Sequence, residues 1–136
     1  MPPLSIWLIR SALLHLGFGF TTGALILATR GLPGAAVVGR LLPLHMEILL
    51  FGWLVQLTMG VAYWLLPRYR SGAERGPPLR GWLAYGFWNA GVLLAGVALA
   101  AGFPPGVVLA GRASEAFGAV CYVGALWGRI KPFGAD

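Results

Sequence analysis

The sequence is poor in charged residues, and in acidic residues above all. Only 10% of its 136 residues are charged, and four of them are acidic. Soluble domains carry about 25% charged residues, so this composition excludes an ordinary soluble domain. Because 58% of the residues are hydrophobic, we predict an integral membrane protein with a single domain over residues 1–136.

Cysteine, histidine and the common catalytic motifs are scarce or missing. Cys121 is the one cysteine, which excludes an intramolecular disulfide, and its place in an apolar segment indicates a packing role. The sequence has no Cys-x-x-Cys-His motif, no glycine-rich phosphate loop and no nucleophile paired with a base. His15 and His45 are its only histidines. Hydrolysis, nucleotide use and nucleic acid binding are therefore not expected.

Four apolar segments are each long enough to cross a lipid bilayer. A helix rises about 1.5 Å per residue, so about 20 residues cross a hydrocarbon core of about 30 Å. We predict helices over residues 4–29, 44–67, 80–101 and 107–127. Turns rich in glycine and proline, at 31–34 and 102–106, and a polar loop at 68–78 separate them. The predicted fold is an all-α bundle of four transmembrane helices.

The second segment, within the stretch 39–70, carries a distinctive set of small and polar residues. At steps of three and four they share one helix face, which indicates that this face points inward. The residues of this face are His45, Leu49, Gly52, Gln56, Met59 and Tyr63. The residues predicted to face lipid are Leu50, Leu54, Val61 and Leu65. Pro43 either kinks a helix that begins soon after the turn or lies in the first turn of one that begins near Leu42.

A polar stripe on the first helix includes the other histidine. Its residues, at helical spacing, are Ser11, His15, Phe18, Thr22 and Ile26. The sequence allows two positions for His15 relative to the second helix. If the turn at 31–34 is tight, His45 lies opposite Gly19 or Phe20, one turn from His15. If the connection is a long loop, His15 lies level with a polar cluster of Gln56 and Asn89.

The distribution of basic residues predicts the orientation in the membrane. Four crossings place six cations on the side of the termini, namely Arg68, Arg70, Arg75, Arg80, Arg129 and Lys131. The opposite side has Arg30 and Arg40. By the positive-inside rule, we predict a multi-pass protein of the cell inner membrane with cytoplasmic N and C termini.

Three charged residues lie inside the apolar segments at a similar predicted depth. A charge in hydrocarbon needs a partner, so Arg112 is expected to pair with Glu47 or Glu115. Such a pair would join the second helix to the fourth. Alternatively, the guanidinium fork of Arg112 could hold the carboxylates of a ligand.

The run from Gly39 to His45, GRLLPLH, followed by apolar residues and the Gly52-Trp53 step, resembles a known family. It is similar to the second transmembrane helix of the haem-copper oxidase and nitric oxide reductase superfamily, and closest to the C-type oxidases and nitric oxide reductases. The resemblance implies that His45 is an axial ligand of a non-covalent haem b. For such a haem, the guanidinium of Arg112 or Arg40 is well shaped to hold the propionates, and the small Gly52 could let the flat cofactor approach.

The ligand opposite His45 stays open at the level of sequence. His15 could complete a bis-histidine pair, or the position could be vacant or filled by a partner protein. Met46 and Met59 are candidate thioether ligands, although methionine in such helices usually packs. Two histidines are too few for two haems and a copper, so a complete oxidase active site, and with it an oxidase enzyme, is not expected.

Two classes of function follow. The first is a b-type haem protein for electron transfer, with a redox partner protein, or for binding O2 or NO. The second is a cofactor-free helical subunit of a larger respiratory complex.

Small residues at four-residue spacing predict self-association. They let helices approach closely, and they occur on three helices as Gly19 with Gly23, Ala98 with Gly102, Ala110 with Ser114 and Gly118, and Gly124 with Gly128. They could serve only to tighten the monomer. Because the catalytic subunit of the family has twelve helices in three arcs of four, we favour a homo-oligomer, a trimer or a dimer.

Overall fold

The computed structural model describes residues 1–33, 35–66 and 78–130, and within them it contains helices and no strand. Four helical spans are long and apolar enough to cross a membrane: Pro3–Ala28, Ala35–Leu65, Pro78–Ala101 and Pro105–Arg129. We refer to them as the first to fourth spans. The predicted all-α architecture of a membrane protein with four transmembrane helices is confirmed.

The predicted limits of the spans agree with the structure to within a few residues, except at the start of the second. The turns occur where glycine was expected to reverse the chain, and Gly31 and Gly102 adopt the left-handed φ values of +85° and +70° that favour glycine. Gly34 and residues 67–77 and 131–136 lie outside the described residues. Four of the six cations used to predict the orientation are therefore not described.

The second span consists of several helical pieces rather than one regular helix. A short helix, Ala35–Gly39, is followed by a break and then by Leu42–Glu47, which has Pro43 in its first turn. The helix therefore begins at Leu42, the second of the two predicted alternatives. It continues as a π-helix over Ile48–Val55 and as an α-helix over Gln56–Leu65. The sequence did not predict the π-helix, a form that is frequent at functional sites.

Glycines allow the spans to pack closely in two pairs. The first span lies on the second, where a Cβ at Gly19 would come 2.5 Å from Leu49 Cδ2. The third lies on the fourth, where a Cβ at Gly118 would come 2.9 Å from the backbone nitrogen of Trp88. Gly19 and Gly118 therefore tighten the monomer. Self-association stays a prediction that these two positions do not support.

The hydrophobic core draws on all four spans, and the faces of the second span are largely as predicted. Gly52, Gln56, Met59 and Tyr63 of the inward face are buried, whereas His45 and Leu49 are half-buried. Leu50, Leu54 and Leu65 are exposed toward the lipid, as predicted, but Val61 is half-buried. Phe18, which was placed on the inward stripe of the first span, is instead 53% exposed.

Two side chains toward the C-terminal end of the fourth span donate hydrogen bonds to backbone carbonyls of the second span. Arg129 is fully buried and donates hydrogen bonds to the carbonyl oxygens of Tyr63 (2.9 Å) and Leu66 (2.6 Å). Tyr122 donates its hydroxyl hydrogen to the carbonyl of Met59 at 2.5 Å. Arg129, counted in the sequence as a surface cation, thus caps the carbonyls at the end of the second span.

Candidate functional site

The two histidines make reciprocal hydrogen bonds between the first and second spans. Nδ1 of His45 lies 2.8 Å from the carbonyl oxygen of Gly19, and Nδ1 of His15 lies 2.9 Å from that of Gly52. The absence of a side chain on the facing glycines makes room for both rings. A Cβ at Gly23 would come 2.5 Å from Cε1 of His45, and one at Gly52 would come 2.8 Å from Cγ of His15.

These contacts determine which ring nitrogen carries the hydrogen. A carbonyl oxygen can only accept a hydrogen bond, so Nδ1 must be the donor in both histidines. In the neutral ring, Nε2 then carries a lone pair. Metal-binding histidines in proteins have the same arrangement, since one nitrogen binds the metal while the other donates to a carbonyl or a carboxylate.

A groove of about 540 Å³ runs along His45 between the first and second spans, and we call it the His45 groove. Its wall is mainly apolar. The apolar residues that line it include Phe20, Ile26, Leu27, Leu42 and Leu49. His45 and Arg30 are the two residues of the described lining whose side chains carry nitrogen. The volume lies within the usual range for small-molecule and cofactor sites.

His15 does not line the His45 groove. The contacts of the two rings are separated by about two turns of the second span, roughly 10 Å. Between them, the side chain of Leu49 packs against Gly19. His15 also takes no part in the alternative polar cluster, because Gln56 donates to the carbonyl of Leu8 and Asn89 to that of Tyr85 in its own helix.

Arg112 forms an ion triad with two glutamates inside the bundle. It contacts both carboxylate oxygens of Glu47, at 2.6 Å each, and one oxygen of Glu115 at 2.9 Å. The side chains of Glu47 and Glu115 are only 4% and 8% exposed, and that of Arg112 is 38% exposed. The predicted pairing is present and includes both candidate partners. It engages both terminal nitrogens of Arg112.

The other predicted site residues lie away from His45. Arg40 lines a separate groove of about 460 Å³ that extends along Pro43 to the end of the third span. Gly52 faces His15 rather than the His45 groove. The sequence analysis treated Arg30 only as a cation at the membrane edge. Its position just after the first helix, beside the start of the helix that carries His45, was a usable signal.

No group of three or more histidine, cysteine or acidic residues could hold a bare metal ion in the described part of the chain. A ligand that brings its own metal needs only one or two protein donors, so this finding concerns bare ions alone.

Comparisons with protein-family models, curated proteins and solved structures found no match to the chain.

Proposed function

We propose that the protein is a membrane-embedded b-type haem-binding protein with His45 as axial ligand. The observation that carries the proposal is the state of His45: Nδ1 is held by the carbonyl of Gly19, and the ring lines an apolar groove. In the neutral ring, Nε2 then keeps a lone pair that could bind iron. Histidine is a common axial ligand of haem iron, and its second nitrogen is usually fixed in this way.

The groove favours binding of a small gas over electron transfer through a bis-histidine haem. Of the described residues that line it, His45 is the one with a nitrogen or sulfur atom suited to bind iron. His15 and Met59 lie outside the lining, and Met46 is absent from it as well. His45 would thus be the one protein ligand that the described part of a single chain offers to a haem held there, and the iron could bind O2 or NO. A haem bound there would supply the iron chemistry, and the chain would contribute the ligand and the apolar wall.

The visible absorption spectrum of the purified, reduced protein tests the proposal. We expect the split bands of a b-type haem and a spectral shift when carbon monoxide is added as a probe of the free position. A six-coordinate spectrum unchanged by carbon monoxide would instead favour electron transfer. A protein purified and reconstituted without any haem would favour a cofactor-free subunit, in which the reciprocal histidine bonds only join two helices.

Replacing Gly23 with alanine is expected to weaken haem binding. The added methyl group would lie 2.5 Å from Cε1 of His45 and 3.0 Å from its Nδ1, so the ring must leave its hydrogen bond to Gly19. Loss of such a support costs about 10–100-fold in metal affinity. Spectral titration with haem measures the effect.

Gly17→Ala is the matched control, because a Cβ at Gly17, on the same helix, meets no atom within 4 Å. The control should bind haem as the wild type does. Equal affinities of the Gly23→Ala variant and the wild type would contradict the role assigned to the His45 ring.

We also propose that the protein lies in the cell inner membrane with cytoplasmic termini and works as a homo-oligomer. The charge asymmetry of the sequence supports the orientation. Phe20, Leu27 and Leu42 of the His45 groove are exposed, which gives a reason for association, since a second copy could cover them. The mass of the haem-bound protein in mild detergent tests this, and a mass of one 14.4 kDa chain would contradict it.

A further inference from the structure

The proposed function leaves open which residue binds the carboxylates of the haem, and this inference rests on that function. Haem carries two propionate groups on one edge of the ring. A carboxylate in hydrocarbon is costly unless it is paired with a cation or reaches water. The edge that carries the propionates must therefore meet a cation or the membrane surface.

Arg30 is the one cation among the described residues that line the His45 groove. It follows the C-terminal end of the first span, where Thr29 caps the helix. The ring of His45 lies against Gly23, about two turns or roughly 10 Å deeper in the membrane. The groove thus has its nitrogen ligand at depth and its positive charge at the outer rim. A flat molecule with a central metal and carboxylates on one edge matches this polarity.

The two arginines favoured by sequence are less suited to this role. Arg112 already contacts both oxygens of Glu47 and one of Glu115, so a propionate would compete with two carboxylates. Arg40 lines a different groove, which shares only Leu42 with the His45 groove. By contrast, Arg30 is exposed and makes no ion pair within the described part of the chain.

We propose that Arg30 binds the haem propionates and thereby orients the haem with its carboxylate edge toward the non-cytoplasmic face of the membrane. A guanidinium is well shaped for this contact, since its fork offers two parallel hydrogen bonds to a carboxylate. The positive charge beside the ring also stabilises the reduced, less positive iron. Arg30 is therefore a binding residue that sets affinity and potential.

The test compares Arg30→Gln with Arg40→Gln in spectral titrations with haem b and with its dimethyl ester, whose propionates are neutral. We expect Arg30→Gln to bind haem b about tenfold more weakly than the wild type, as for the loss of a charge-assisted hydrogen bond. It should bind the ester as the wild type does, and its reduction potential should fall. Arg40→Gln should match the wild type throughout.

Two outcomes would overturn the role of Arg30 while leaving the haem in place. One is a loss of affinity in Arg40→Gln but not in Arg30→Gln. The other is an equal loss for haem b and its ester in Arg30→Gln, which would indicate a structural effect. If the wild type binds neither form, the proposed function itself is wrong, and the inference fails with it.

Discussion

Replacing His45 with alanine is expected to abolish haem binding. The substitution removes the one nitrogen in the described lining of the His45 groove that is suited to bind iron. It leaves Arg30 and an apolar wall, neither of which offers a ligand for the iron. The characteristic bands of the reduced protein should disappear. Adding haem at a concentration close to that of the protein should not restore them.

His15→Ala is the matched control for this experiment. His15 makes the same kind of hydrogen bond to the backbone of the facing helix, with Nδ1 2.9 Å from the carbonyl of Gly52, but it lies outside the groove. The variant should keep its haem and an unchanged spectrum. Its stability should fall by about 1 kcal/mol, as expected for an intramembrane hydrogen bond. Full haem content in His45→Ala, or loss of haem in His15→Ala alone, would show that the ligand is misassigned.

The largest loss of stability is expected from Arg112→Leu. The substitution leaves the carboxylates of Glu47 and Glu115 buried in the bundle without their cation. Breaking a buried ion pair from one side typically costs 3–5 kcal/mol. Because Arg112 is itself partly exposed, we expect about 3 kcal/mol, at the lower end of that range. Unfolding in detergent, followed by circular dichroism, measures the change.

A triple variant separates the charge of Arg112 from its packing. Arg112→Leu combined with Glu47→Gln and Glu115→Gln has no buried charge, so it should be more stable than Arg112→Leu alone. If both variants lose the same stability, the cause is the contact of the guanidinium with the ring of Phe51, at 5.5 Å, rather than the charges. Arg40→Leu, which removes an exposed arginine on the same side, should change little.

Much of the architecture could be predicted because it depends on the length and composition of each segment taken by itself. The length and hydropathy of each apolar run determined the four spans, and glycine and proline determined the turns. Helical spacing did not include Glu47 in the face that carries His45, and in the structure Glu47 meets Arg112 whereas His45 meets Gly19. The need of a buried charge for a partner identified the ion pair, although not that both glutamates take part.

The candidate site was less accessible to the same reasoning. The sequence singled out His45 because the residues around it resemble a family motif. It predicted that Arg112 or Arg40 would hold the propionates. These choices rested on residue type and approximate depth. They could not show that Arg112 is already paired or that Arg40 and His45 line different grooves, because both facts depend on the rotation of one helix against another.

The sequence by itself determined that the chain crosses a membrane four times, which faces are apolar and which few polar groups need partners inside. The tertiary structure decided which partners they find. Regular helical spacing predicted the inward face of the second span, but it did not predict the π-helix at Ile48–Val55 that lies within that span. The hydrogen bonds of His15 and His45 depend on the register of two antiparallel helices to within a single residue. Arg30 joins the groove of His45 for the same reason: hydropathy sets the depth of a residue, whereas contact between two helices requires their relative rotation and register.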